Sequence, residues 1–78
     1  MNCLITKNNN TVSIQFDEFV EEAKIIIESK MNKEIRQSLK IFQTNFTQVK
    51  INKLLKGEKF GVEVIINGKT IEKKTLDH

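Results

Sequence analysis

Apolar residues along this chain change spacing twice, and each change marks a candidate element. Leu4-Ile5-Thr6 and Val12-Ser13-Ile14-Gln15-Phe16 are short β-favouring runs, the second with Val12, Ile14 and Phe16 on one face. Between them Lys7-Asn8-Asn9-Asn10-Thr11 is turn chemistry, because asparagine tolerates positive φ and bonds its own backbone. The pattern predicts a β-hairpin over residues 3–16.

From Phe16 the spacing widens to threes and fours. Phe16, Phe19, Val20, Ala23 and Ile27 are followed by Met31, Ile35 and Leu39, with Phe42 and Phe46 beyond. Asp17 is a plausible N-cap, Glu18, Glu21 and Glu22 suit a positive helix end, and Lys30, Lys33, Arg36 and Lys40 suit the negative one. No Gly or Pro interrupts residues 17–43, so the spacing predicts one long α-helix there. Its stripe drifts, however, since each step of four overshoots a turn by about 40°. Such a helix crosses its support obliquely, breaks near Ser29–Lys33, or packs its second half on something different. Ile25 lies opposite the first-half stripe and is read as exposed.

Residues 44–56 admit two readings. Thr47, Val49 and Ile51 alternate as in a strand, whereas Thr47 could cap and Phe46 staple a second helix stopped at Gly57. The strand is favoured, because a clear hairpin follows. In that hairpin Lys59–Ile66 and Lys69–Thr75 flank Asn67-Gly68, the dipeptide a type I′ turn prefers. A two-residue loop would set Val64 opposite Ile71, Val62 opposite Lys73, Phe60 opposite Thr75 and Glu63 opposite Glu72. Lys69 and Lys73 then point inward from an edge strand. Residues 76–78 are expected to fray. The resulting fold class is α+β: a hairpin (3–16), one long helix (17–43) and an antiparallel meander (46–75) on one helix face, in a single domain.

A chain of 78 residues is close to the size at which one core becomes marginal. Cys3 is the only cysteine, which excludes an intrachain disulfide, and Cys3 with His78 is too few ligands for structural zinc. Association with a second copy is the stabiliser left. A helix of residues 17–43 would reach about 40 Å, beyond strands of about 20 Å, so its second half would overhang the sheet. Ile35, Leu39, Ile41, Phe42 and Phe46 are therefore the candidate protein interface.

Charge adds a second indication. Residues 1–28 hold two basic and five acidic groups, and residues 29–78 hold eleven and five, for a net charge of +3. Two copies packed antiparallel through the helix would match opposite signs, which makes a homodimer the expected assembly. Lys50, Lys53, Lys56 and Lys59 offer an alternative, a basic surface for nucleic acid, although single-strand binders add aromatic platforms and Phe60 faces the core in this register.

No stretch has the roughly 18 apolar residues of a membrane span, and the first residues resemble no export signal. With one free thiol, a cytoplasmic protein is expected. The wealth of Ile, Asn and Lys points to an AT-rich genome, which would fit a phage or mobile element. Chemistry is sparse. Cys3 has no histidine but the last residue, and Asp17, Glu18, Glu21 and Glu22 are explained by the start of a helix. Gly57-Glu58-Lys59-Phe60-Gly61 lacks phosphate-loop spacing. No catalytic residue, metal or cofactor is expected. The chain is read as a non-enzymatic inhibitor or adaptor that works by protein–protein contact.

Overall fold

The computed structural model describes residues 1–78 and contains no helix. Five antiparallel strands form one curled sheet: β1 (Cys3–Asn8), β2 (Thr11–Ser29), β3 (Arg36–Lys50), β4 (Lys59–Ile66) and β5 (Lys69–Asp77). β2 is the axis of the fold. On one side it pairs with β3 along most of its length. On the other it pairs first with β1 and then, through Lys24–Ser29, with β4, which carries β5. The α+β class and the helix over 17–43 are thus overturned: these residues form most of β2, a turn and half of β3.

The reason is visible in the same spacing that predicted the helix. A step of four is an even step, so it serves the two-residue period of a strand as well as a helical turn. Ala23, Ile25 and Ile27 alternate and all three are buried. Ile25, off the helical stripe, is 0% exposed and lies in the core. The segment is rich in β-branched residues (Val20, Ile25, Ile26, Ile27, Ile35 and Ile41), which lose little on a pleated surface and more in a helix. The expected break near Ser29–Lys33 is where the chain reverses. Antiparallel matching of acidic and basic halves also occurs, but inside one chain, where Glu28 lies opposite Arg36 with their charged groups 3.7 Å apart.

β2 is bent by a bulge. Its register with β3 moves from Gln15↔Phe46 to Val20↔Thr44, so Phe16–Phe19 are opposed only by Asn45. The inward side then passes from Val12, Ile14, Phe16 and Val20 to the odd-numbered Ala23, Ile25 and Ile27. Gln43, in the left-handed region at φ 49°, lies on the β3 side of that change. The bend folds the β2–β3 hairpin over itself and encloses one core of Ile5, Val12, Ile14, Phe16, Ile25, Ile27, Phe60, Val62 and Val64 among others.

Both hairpins form where turn chemistry placed them. Asn9 (φ 58°) turns β1 into β2, and Asn67 (φ 53°) with Gly68 (φ 76°) turns β4 into β5. The register of the second hairpin differs from expectation, because a bulge between Val64 and Ile65 shifts it by one residue. Val64 faces Glu72, Val62 faces Lys74, Phe60 faces Leu76 and Glu63 faces Lys73. Neither Lys69 nor Lys73 points inward, and both are exposed; the β5 lysine opposite the buried Val62 is Lys74, itself exposed, whose ammonium donates to the Ile5 carbonyl (2.9 Å) across the seam between β5 and β1.

The chain end is held, not frayed. Lys59 pairs with Asp77 (2.8 Å), the His78 amide donates to the Glu58 carbonyl (2.9 Å), and the His78 ring meets Phe60 edge-on.

A polar clamp joins the two long connections. Ser29, fully buried, donates its hydroxyl to the Glu58 carboxylate and accepts from the amides of Met31 (3.2 Å) and Asn32 (3.1 Å), while Glu58 also accepts from the Leu55 amide (3.0 Å). Ser29→Ala takes the acceptor from the Met31 and Asn32 amides and a donor from the Glu58 carboxylate, and chemical denaturation should show a loss of about 1–3 kcal/mol.

The clamp also makes stability acid-sensitive. The Ser29 and Leu55 hydrogen bonds hold the Glu58 carboxyl below its usual 4.5. Burial, then Lys7 and Lys56, hold the His78 imidazole below 6.5, and its buried Nδ1 has no hydrogen-bond partner. A lowered native pKa means that the unfolded chain takes up the proton first. The His78 contribution is full above about pH 6.5 and is lost as pH falls through its native value. That of Glu58 is full above its unfolded value and is lost at still lower pH. Melting temperature followed against pH should fall in both windows, with His78→Ala lacking the upper and Glu58→Gln the lower.

Candidate functional site

The five residues expected at a protein interface do not share a face. Ile41 is buried in the core, Leu39 packs against it, and Ile35 is half-buried in the β2–β3 connection. These three are claimed by the protein's own interior, so the stripe they belonged to is no surface. Phe42 (59% exposed) and Phe46 (43%) remain outside, on β3 opposite Glu22 and Gln15. Phe19, in the bulge, is 65% exposed. The helical stripe had assigned Phe19 to the core, whereas in the strand it lies on the outward side, next to the inward Val20.

β3 itself has an open edge, since β2 is its only neighbour. The edge is closed unevenly. The Thr44 hydroxyl donates to the Phe46 carbonyl (2.8 Å) and accepts from the Phe46 amide (3.2 Å), occupying both main-chain polar groups of that residue. Further along, the Gln37 side-chain amide donates to the Lys50 carbonyl (3.0 Å) and accepts from the Asn52 amide (3.3 Å). Thr44 thus occupies main-chain groups within β3, and Gln37 those at its end and just past it. No side chain hydrogen-bonds the main chain of Arg36–Thr44, and Ser38–Phe42 lies in the middle of that unblocked part of the edge.

Charge on β3 itself is one-sided, with Glu21 and Glu22 of β2 beside it. β3 carries Arg36, Lys40 and Lys50 and no acidic residue. Arg36 pairs with Glu28, but Lys40 lies directly opposite Lys24 and neither is in an ion pair. Like charges in such cross-strand positions repel.

The largest concavity, about 840 Å³ and open to solvent, is a notch where β2 lacks a neighbour between β1 and β4. Met1 and the Asn67-Gly68 turn stand at its sides, with Phe19, Glu21, Glu22, Lys24 and Lys40 around it. It contains no cysteine, histidine or serine, and its charges balance.

The lysines expected to bind nucleic acid are all exposed. Lys50 ends β3, Lys53 and Lys56 lie on the following connection, and Lys59 opens β4 with Asp77 as its partner. Lys7 of β1, not foreseen, joins them: it and Lys56 both act on the His78 imidazole. Asp17, Glu18, Glu21 and Glu22 line the bent part of β2 rather than a helix start, and the Asp17 carboxylate accepts from the Asn2 amide (3.1 Å). No three acidic, histidine or cysteine side chains converge as metal ligands. Burial, Glu72 and Asp17 raise the Cys3 thiol, which makes it a poorer nucleophile. Glu63, expected opposite Glu72, instead accepts from the Thr70 hydroxyl and faces Lys73.

Comparison of the chain with protein families, curated proteins and solved structures gives no match. No helix is long and apolar enough to cross a membrane.

Proposed function

We propose that this is a small non-enzymatic binding protein, an inhibitor or adaptor that acts by protein–protein contact in the cytoplasm. The observation that carries the reading is the edge of β3, open over Ser38–Phe42 and flanked by the exposed Phe42 and Phe46. Open strand edges and exposed aromatic side chains are the features through which small β proteins recognise others. Pairing of two copies through a helix is set aside with the helix.

The test is capture from nuclease-treated host lysate by the wild-type chain and by a Phe42→Ser, Phe46→Ser double variant. Both side chains are exposed, so the variant keeps its fold. The expected result is a protein partner retained by the wild type and lost by the variant. Identical capture by both chains would refute the reading.

Nucleic-acid binding is a second reading, favoured by the exposed Lys50, Lys53 and Lys56 at the end of β3 and on the β3–β4 connection, with the charges of Lys56 and of Lys7 on β1 both lowering the His78 imidazole. It predicts a mobility shift of generic DNA or RNA that weakens steeply with salt and disappears when Lys50, Lys53 and Lys56 become Glu.

A further inference from the structure

The unblocked part of the β3 edge is short, and its surroundings select what can bind it. Ser38–Phe42 offers main-chain groups for one added strand, and Thr44 closes the edge beyond it at Phe46. On the outer face of this stretch Lys40 and Phe42 stand two residues apart, with Ser38 before them. Lys40 and its cross-strand neighbour Lys24 are two positive charges without an acidic partner. A strand laid against β3 puts one side chain beside Lys40 and, two residues away, another beside Phe42. An acidic group in the first position offsets the repulsion between the lysines, and an apolar one in the second covers the phenyl ring.

The same stretch of a second copy does not meet these requirements. Pairing of β3 with β3 would bring Lys40 and Arg36 against a strand that also has basic residues and no acidic one. A lysine on an edge strand discourages that kind of self-pairing.

We propose that Ser38–Phe42 is a docking strand for an extended acidic segment of another protein, with an Asp or Glu beside Lys40 and an apolar side chain two residues away beside Phe42. This inference rests on the protein-binding reading and names its partner chemistry. Strand addition supplies main-chain hydrogen bonds, and the Lys24–Lys40 pair supplies selectivity for charge.

The experiment uses the full chain and three synthetic ten-residue peptides that alternate valine with glutamate, glutamine or lysine. Backbone amide shifts and hydrogen exchange are followed residue by residue. The glutamate peptide should bind, slow exchange within Ser38–Phe42, and weaken as salt is raised. Lys40→Glu should lower its affinity by about tenfold and reverse the preference toward the lysine peptide. That variant places a carboxylate opposite Lys24, so its melting temperature should hold or rise.

Equal binding of all three peptides, or perturbation centred away from residues 38–42, would overturn the proposal. So would concentration-dependent protection of the same amides without peptide, which would make a second copy the occupant. If no peptide binds while lysate capture still depends on Phe42 and Phe46, the strand-addition inference fails and the broader reading stands. Loss of both removes both.

Discussion

Ile25→Ala is expected to lower stability by about 2–5 kcal/mol, while Phe42→Ala changes it by less than about 0.5 kcal/mol. Ile25 is fully enclosed between Leu39 of β3 and Val64 of β4, so truncation leaves a cavity that neighbouring strands fill only in part. Phe42, despite its larger side chain, is mostly in solvent and supports nothing beneath it. A helix over 17–43 requires the reverse order, with Ile25 off the apolar stripe and Phe42 on it. A domain of this length is stabilised by about 4–12 kcal/mol at the usual 0.05–0.15 kcal/mol per residue. Ile25→Ala therefore removes a large share of the total, and urea denaturation of the two variants side by side measures both values.

Phe60→Ala should be costlier still, at about 3–5 kcal/mol. Phe60 is fully buried, is the single inward aromatic of β4, and meets the His78 ring edge-on. The second consequence is electrostatic. Burial is the main cause of the lowered His78 value, so opening the space beside the ring should move it back toward 6.5. Phe60→Leu, which keeps most of the volume, should retain the fold with a smaller loss and move His78 less. NMR titration of the imidazole in wild type and Phe60→Leu, with denaturation of all three chains, checks both halves. An unchanged His78 value in a destabilised Phe60→Leu would separate burial from the shift.

What was legible in the sequence follows the length scale of the signals. The Asn9 and Asn67-Gly68 turns were readable because positive φ is a property of one or two residues and needs no partner. Alternation in Val12, Ile14 and Phe16, and again in Thr47, Val49 and Ile51, likewise identified strands locally.

The long middle segment was misread because intervals of four fit both periods, and the absence of Gly and Pro favours neither. Two signals pointed the other way: the stripe's drift and the run Ile25-Ile26-Ile27, with three β-branched residues in succession. The candidate site inherited that error. Ile35, Leu39 and Ile41 looked like surplus apolar surface only while β2 and β3 were taken as one rod. Once the rod folds at Ser29–Ile35, the core claims Leu39 and Ile41, half-buries Ile35, and leaves Phe42 and Phe46 outside. The Lys24–Lys40 apposition and the side-chain closure by Thr44 and Gln37 depend on strand register, which no local pattern encodes.

The same reversal decides which surface another molecule can reach, since a helix would present a stripe where the sheet presents an edge. The most direct test is NMR of the backbone and methyl groups over residues 17–43. The five-stranded fold predicts strand-type Cα and Cβ shifts through β2 and β3, a break at Phe16–Phe19, and cross-strand contacts Ala23–Ile41 and Ile27–Gln37. Helical shifts from Asp17 through Gln43, with contacts Ile27–Met31 and Ile35–Leu39 in place of the cross-strand pairs, would contradict it.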